Sequence, residues 1–212
     1  MTEQKMQNIK IALIGDCGVG KTSISVRYTR NEFKNEYVST SGASYSIKKV
    51  EKFGETLQLD IWDTAGQERY RSLGRNFYKD AFIVILVYDI TRQETFENLK
   101  SVWYKELEEN GEEKPILAIV GNKSDQYELD NTVNEDEART YTDKIGGIFK
   151  LVSAKNGSGI DDLFNQLLEA YFEKNFPEKV IKNLQRRKSS KLKRNDDDSN
   201  YSGTEQQKKK CC

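Results

Sequence analysis

Residues 1–177 are predicted to form a doubly wound α/β domain, and two observations carry that prediction. Five short apolar, β-branched runs recur through the first 154 residues, and most are continuous rather than alternating. Continuous runs suit strands covered on both faces, as in a parallel sheet flanked by helices. Helical patterns separate the runs, and strands alternating with helices favour a doubly wound sheet.

The elements follow in order. Ile9–Ile14 is the first strand, and a glycine-rich string after it leads into a helix. Tyr45–Val50 is a further candidate strand at an edge, and Leu57–Trp62 and Phe82–Tyr88 are the next two strands. Thr91-Arg-Gln-Glu94 has the form of a capping box. Phe96, Leu99, Trp103 and Leu107 then make one apolar stripe, ending before Asn110-Gly111. Ile116–Val120 and Ile148–Val152 complete a six-stranded, mostly parallel sheet. Ile160, Leu163, Leu167 and Tyr171 mark a last helix, stopped near Pro177.

Composition excludes several classes of chemistry. Lys+Arg and Asp+Glu both number 34 in 212 residues, so no global field favours nucleic acid, and no nucleic-acid partner is expected. Histidine is absent, which removes His-based metal sites and Ser–His or Cys–His nucleophiles. Three cysteines, Cys17, Cys211 and Cys212, are too few and too badly spaced for a disulfide framework or a zinc site. The longest apolar run, Phe82–Tyr88, is far short of a membrane span, and Met1–Lys10 lacks the apolar core of a signal peptide. A cytosolic, soluble protein is expected unless something is attached to it.

Beyond Pro177 the composition shifts. Residues 178–212 hold eleven Lys/Arg and five acids, a net charge of +6, so the body carries −6. With few apolar residues to bury, this segment is expected to be a disordered basic tail.

Gly15-Asp16-Cys17-Gly18-Val19-Gly20-Lys21-Thr22 matches G-x-x-x-x-G-K-[ST] between a strand and a helix, the context this motif requires. Its backbone N–H groups and the helix N-terminus would face phosphate oxygens. Lys21 would reach the β- and γ-phosphates, and the Thr22 hydroxyl would ligate Mg²⁺. Asn122-Lys123-Ser-Asp125 follows the strand Ile116–Val120, at the sheet edge where such folds bind ligands. A carboxylate there can accept both N1–H and N2–H₂ of guanine, a donor pair that adenine lacks. Ser153-Ala154-Lys155 follows the next strand.

These strings, with Thr40 and Trp62-Asp63-Thr-Ala-Gly66-Gln67-Glu68, resemble the Ras superfamily of small GTPases over about residues 8–175. Cys211-Cys212, with Tyr45, Trp62 and Phe77-Tyr78, is similar to the Rab branch, and Ser39–Tyr45 and Trp103–Leu107 resemble its early-endosomal subgroup. The resemblance implies a P-loop NTPase fold of the small-GTPase type, a mostly parallel six-stranded sheet with one antiparallel edge strand, flanked by helices. It implies Mg²⁺-dependent GTP binding and slow hydrolysis to GDP and phosphate, switching effector recruitment in vesicle traffic. Asp63 would hold Mg²⁺ through water, and Gly66 N–H would sense the γ-phosphate. Gln67 would orient the attacking water. Thr40 would bind Mg²⁺ and γ-phosphate in the GTP state and let go after hydrolysis. Ser23 and Tyr37 would join residues 16–22 in contacting the nucleotide, and Phe33 would pack against the guanine edge. Tyr45, Trp62 and Phe77 would face effectors.

No arginine finger is identifiable within the chain, so an intrinsic rate on the order of 10⁻⁴ to 10⁻² s⁻¹ is expected. The family implies further partners: an exchange factor, a GTPase-activating protein, a prenyltransferase with its escort protein, and a GDP-dissociation inhibitor. Cys211 and Cys212 would carry prenyl groups. The protein would then sit on the cytoplasmic face of an intracellular, endosomal membrane and exchange with cytosol. A nucleotide-bound membrane adaptor that does not hydrolyse GTP is the alternative; Gln67 and Thr40 speak against it. The sequence departs from the Rab pattern at Ser41 (usually apolar), Tyr45 (usually Phe), Cys17 (often Ser) and Asp80 (usually Gly). These departures bear on effector choice more than on chemistry.

Overall fold

The computed structural model describes residues 6–35, 43–64, 78–110, 114–127 and 132–183. Its elements run β1 (Gln7–Ile14), α1 (Lys21–Arg30), β2 (Ala43–Lys52), β3 (Glu55–Thr64) and β4 (Ile83–Asp89). Helix α2 (93–110) follows, with α-helical Gln93–Asn98, π-helical Leu99–Tyr104 and α-helical Lys105–Asn110. Then come β5 (Ile116–Asn122), a 3₁₀ turn (Ser124–Gln126), α3 (Glu135–Ile145), β6 (Ile148–Val152) and α4 (Ile160–Asn175).

The six strands form one sheet in the order β2-β3-β1-β4-β5-β6. Only the β2–β3 pair is antiparallel; every other neighbour is parallel. The predicted edge strand is therefore present. It is closed onto β3 by Phe53-Gly54, both at positive φ, the conformation a two-residue hairpin needs and one that glycine adopts freely. All seven residues of β4 are buried, as a continuous apolar run at the sheet centre requires. Phe96, Leu99, Trp103 and Leu107 are buried together against Val84, Leu86, Tyr88 and Ile119, so the α2 stripe packs on the sheet as predicted.

One expectation needs revision. Thr91 does not cap α2: its hydroxyl donates to Asp89 Oδ1 at 2.7 Å, and the N-cap is Arg92, with no side-chain cap bond. The buried Asp89 carboxylate demands donors more strongly than a helix end that backbone bonds already serve. Helix α3 was not foreseen. Asn134 caps it by accepting from Asp136 N and Glu137 N, and Gly146 ends it in the left-handed region. Asp80 stands at φ 58, which is a physical reason for glycine to be usual at that place in Rab-like sequences.

The described residues divide into two units, with the boundary between Tyr171 and Phe172. In the second unit, helix continues to Asn175 and resumes at 177–183, where the sequence reading places the first residues of a disordered tail. The Phe172 and Phe176 rings lie tilted against each other there, centroids 5.9 Å apart, with the Lys179 ammonium 4.8 Å from the Phe176 ring.

Candidate functional site

Parallel strands deliver their C-terminal ends to one edge of the sheet. At that edge β1 runs into Gly15, β3 ends with Asp63 and Thr64, β4 ends with Asp89, β5 with Asn122, and β6 leads to Ser153. All the motifs within the described residues therefore meet in one place. They surround a cavity of about 480 Å³, a size suited to a small ligand. Cys17, Gly18, Gly20, Lys21, Thr22 and Ser23 line one wall. Phe33 lines another, and Asn122, Lys123, Asp125, Ala154 and Lys155 line the far end.

The loop between β1 and α1 needs its glycines. Gly15 and Gly20 have φ of 141 and 96, and a Cβ would collide with Val87 O at the first and with Asn122 Nδ2 at the second. The backbone is thus pressed against β4 and β5, which leaves its other side to a ligand. Lys21 Nζ bends back over the loop and donates to the Gly15 and Asp16 carbonyls, both at 2.8 Å. Burial pulls its pKa down to about 8, against the attraction of Asp63, Cys17 and Asp16. An anion of high charge beside this ammonium would restore its proton affinity.

Thr22 Oγ1 donates to Asp63 Oδ2 at 2.6 Å. Asp63 is fully buried, and its Oδ1 has no hydrogen-bond partner among the described residues. Burial raises the Asp63 pKa, while Thr22 and Lys21 oppose the rise. A hydroxyl and an orphaned buried carboxylate oxygen side by side fit a hard divalent cation whose remaining ligands are phosphate oxygens and water. Thr22 would hold it by its hydroxyl and Asp63 through water.

At the other end, Ser153 Oγ donates to Asp125 Oδ1 at 2.5 Å, and Asn156 N–H donates into the same Ser153 oxygen at 3.2 Å. Lys155 Nζ lies 3.9 Å from Asp125 Oδ2. Asn122 is buried, with Nδ2 on Val19 O (2.8 Å) and Oδ1 accepting from Ala154 N (3.1 Å). Its amide thus staples the phosphate loop to the loop after β6. Lys123, at φ 71, reaches Asp89 Oδ2 at 2.5 Å. Burial alone would raise the Asp89 pKa, but the bonds from Lys123 and Thr91 hold it below the usual carboxylate value.

Some predicted residues do not present side chains to the cavity. Val19 is a core residue, and Ser153 sits behind Asp125. The Asp16 side chain turns toward α2. Tyr37, Thr40, Ser41, Gly66, Gln67, Phe77, Cys211 and Cys212 lie outside the described residues. On the β2–β3 face, Tyr45 is opposite Trp62 with ring centroids 5.0 Å apart and Lys10 Nζ 5.4 Å from the Trp62 ring. Tyr45 stays about half exposed.

Sequence reasoning missed Arg27. Its guanidinium donates to Ala154 O (2.8 Å), Lys155 O (2.7 Å) and the Asn31 carbonyl (3.0 Å), so α1 holds the loop behind Asp125. Nothing in the sequence separates it from an exposed helix arginine. Arg27→Ala should weaken GDP binding about tenfold, since two charged bonds that order the loop are lost. Competition titration against labelled GDP measures this; unchanged affinity would refute the role.

The sequence model of the Ras family matches residues 10–173. Human Ras-related protein Rab-22A is 42% identical over 162 residues, covering 76% of this chain and 82% of that protein. The phosphate loop, the paired Thr22–Asp63 oxygens and the Asp125 end of the cavity all fall inside the matched span. The chain belongs to the Ras family of small GTPases, a family of GTP hydrolases, and is a Rab-related member of it.

Proposed function

We propose that the protein is a membrane-attached guanine-nucleotide switch of vesicle traffic. The observation that carries the reading is the cavity, which has a phosphate loop at one end and a Ser153-held Asp125 carboxylate at the other. Guanine would sit on Asp125 and beside Phe33. Lys21 and the loop N–H groups would hold the phosphates, with Mg²⁺ on Thr22 and Asp63. Mg²⁺, when bound, neutralises phosphate charge as the bond to the γ-phosphate breaks. Thr40 and Gln67 would complete the GTP state, and Tyr45, Trp62 and Phe77 would present it to effectors. An exchange factor and a GTPase-activating protein would drive the two transitions.

No described helix is long and apolar enough to cross a membrane. Membrane residence would come from prenyl groups on Cys211 and Cys212, since one chain holds a protein only marginally and two hold it stably. Lys208–Lys210 would add attraction to an anionic, early-endosomal surface. A GDP-dissociation inhibitor would return the lipidated protein to cytosol. Cys211→Ser/Cys212→Ser is therefore expected to move the protein from the membrane pellet to the supernatant of fractionated cells. Pelleting that survives the double substitution would refute the anchor.

A further inference from the structure

Asn98 and Trp103 reach one carboxylate although they stand five residues apart on α2. At 100° per residue, an α-helix would turn two such side chains about 140° away from each other. The segment Leu99–Tyr104 is π-helical, however, and a turn closed by i→i+5 bonds brings such residues over one another. From that shared face, Trp103 Nε1–H donates to Asp16 Oδ1 at 2.7 Å and Asn98 Nδ2 donates to Asp16 Oδ2 at 2.7 Å. Arg92, just ahead of α2, donates to the next carbonyl, Cys17 O, at 3.1 Å.

These bonds meet the phosphate loop on its outer arm. The inner side of the same residue is held as well, because the Asp16 carbonyl accepts from Lys21 Nζ. Asp16 is thus gripped at its carbonyl by the phosphate-binding lysine and at both carboxylate oxygens by α2. A glycine-rich loop has little stiffness of its own. Two charge-assisted bonds from one helix fix both the position and the plane of the carboxylate. A loop whose N–H groups must converge on phosphate gains from that fixing.

We propose that Asn98 and Trp103 are positioning residues for nucleotide binding, the π-helical turn of α2 clamping Asp16 and so holding the phosphate loop in its binding shape. The clamp rests on a guanine nucleotide occupying the cavity.

Dissociation of fluorescent GDP from the full-length protein, in Mg²⁺ and excess unlabelled GDP, tests the proposal. Trp103→Phe keeps the packing and removes the donor, whereas Asp16→Ala removes the acceptor. Each should release GDP roughly tenfold faster than wild type. If Trp103 acts through Asp16, the double variant should be no faster than Asp16→Ala to within about twofold. Additive effects, or release at the wild-type rate in both single variants, would overturn the proposal.

Trp103 is a core residue, so the exposed Asn98→Ala provides a second cycle with Asp16→Ala and the same expectation. A spectroscopic readout is independent of nucleotide. The chain has two tryptophans, and Asp16→Ala should move the indole N–H resonance of Trp103 while leaving that of Trp62 in place. An unmoved Trp103 resonance contradicts the clamp. A wild-type protein that bound no GDP would instead count against the nucleotide reading itself.

Discussion

Asp125→Asn is expected to lower GTP affinity by about 10³–10⁴-fold and to turn the preference toward xanthosine triphosphate. The geometry behind Asp125 determines which way the new amide points. Asn156 N–H donates into Ser153 Oγ, so the Ser153 proton is committed to Asp125 Oδ1. An asparagine in that place keeps its carbonyl oxygen toward Ser153 and turns its NH₂ toward the base. There it opposes guanine N1–H and N2–H₂, donor against donor, whereas the C2 carbonyl of xanthine accepts from it. Ser153→Ala in the same background should blunt the switch, because the amide is then free to flip. Affinities of both nucleotides for wild type and variants decide the matter. An unchanged GTP preference in Asp125→Asn would remove Asp125 from base recognition.

The second large effect is at Lys21. Lys21→Met should reduce GDP and GTP affinity by at least about a hundredfold, through loss of a desolvated charge–phosphate contact. It should do so without weakening the nucleotide-free fold, and thermal melting in EDTA should give a midpoint equal to or above that of wild type. Burial of the ammonium is costly enough to bring its pKa from 10.5 to about 8, and an apolar side chain of similar length removes that strain. The sign of the pH dependence follows. Between pH 8 and 10.5 the unfolded lysine binds a proton that the folded one has lost, so nucleotide-free stability from this group rises with pH across that window. The difference between wild type and Lys21→Met isolates it. Equal affinities would remove Lys21 from phosphate binding, and a variant that melts far below wild type would show Lys21 to be structural.

Much of this site is written locally. The phosphate loop, Asn122–Asp125 and Ser153–Lys155 each follow an apolar strand, and parallel strands bring their ends together whatever the details between them. What is not local was not legible. The Thr91 hydroxyl has cap chemistry, yet the need of the buried Asp89 for donors redirects it. Arg27 has the composition of a solvent-facing residue until the loop after β6 is folded against α1. The stripe Phe96–Leu99–Trp103–Leu107 reads as α-helical, and its spacing gives no sign that a π-turn lies within it and aims Trp103 and Asn98 at Asp16. Helix α3 was hidden for a different reason. Its sequence, EDEARTYTDKI, is mostly polar, and of its residues only Ala138 and Thr142 are buried, so it carries too little apolar periodicity to stand out.

Single-turnover hydrolysis tests the account at its centre. The purified protein, loaded with labelled GTP or ATP in Mg²⁺, should retain GTP and convert it to GDP and phosphate at a rate on the order of 10⁻⁴ to 10⁻² s⁻¹. A GTPase-activating partner should speed the reaction, and Gln67→Leu should stop it while leaving GTP bound. Turnover of ATP as readily as GTP, or Gln67→Leu releasing phosphate at wild-type speed, would contradict the account.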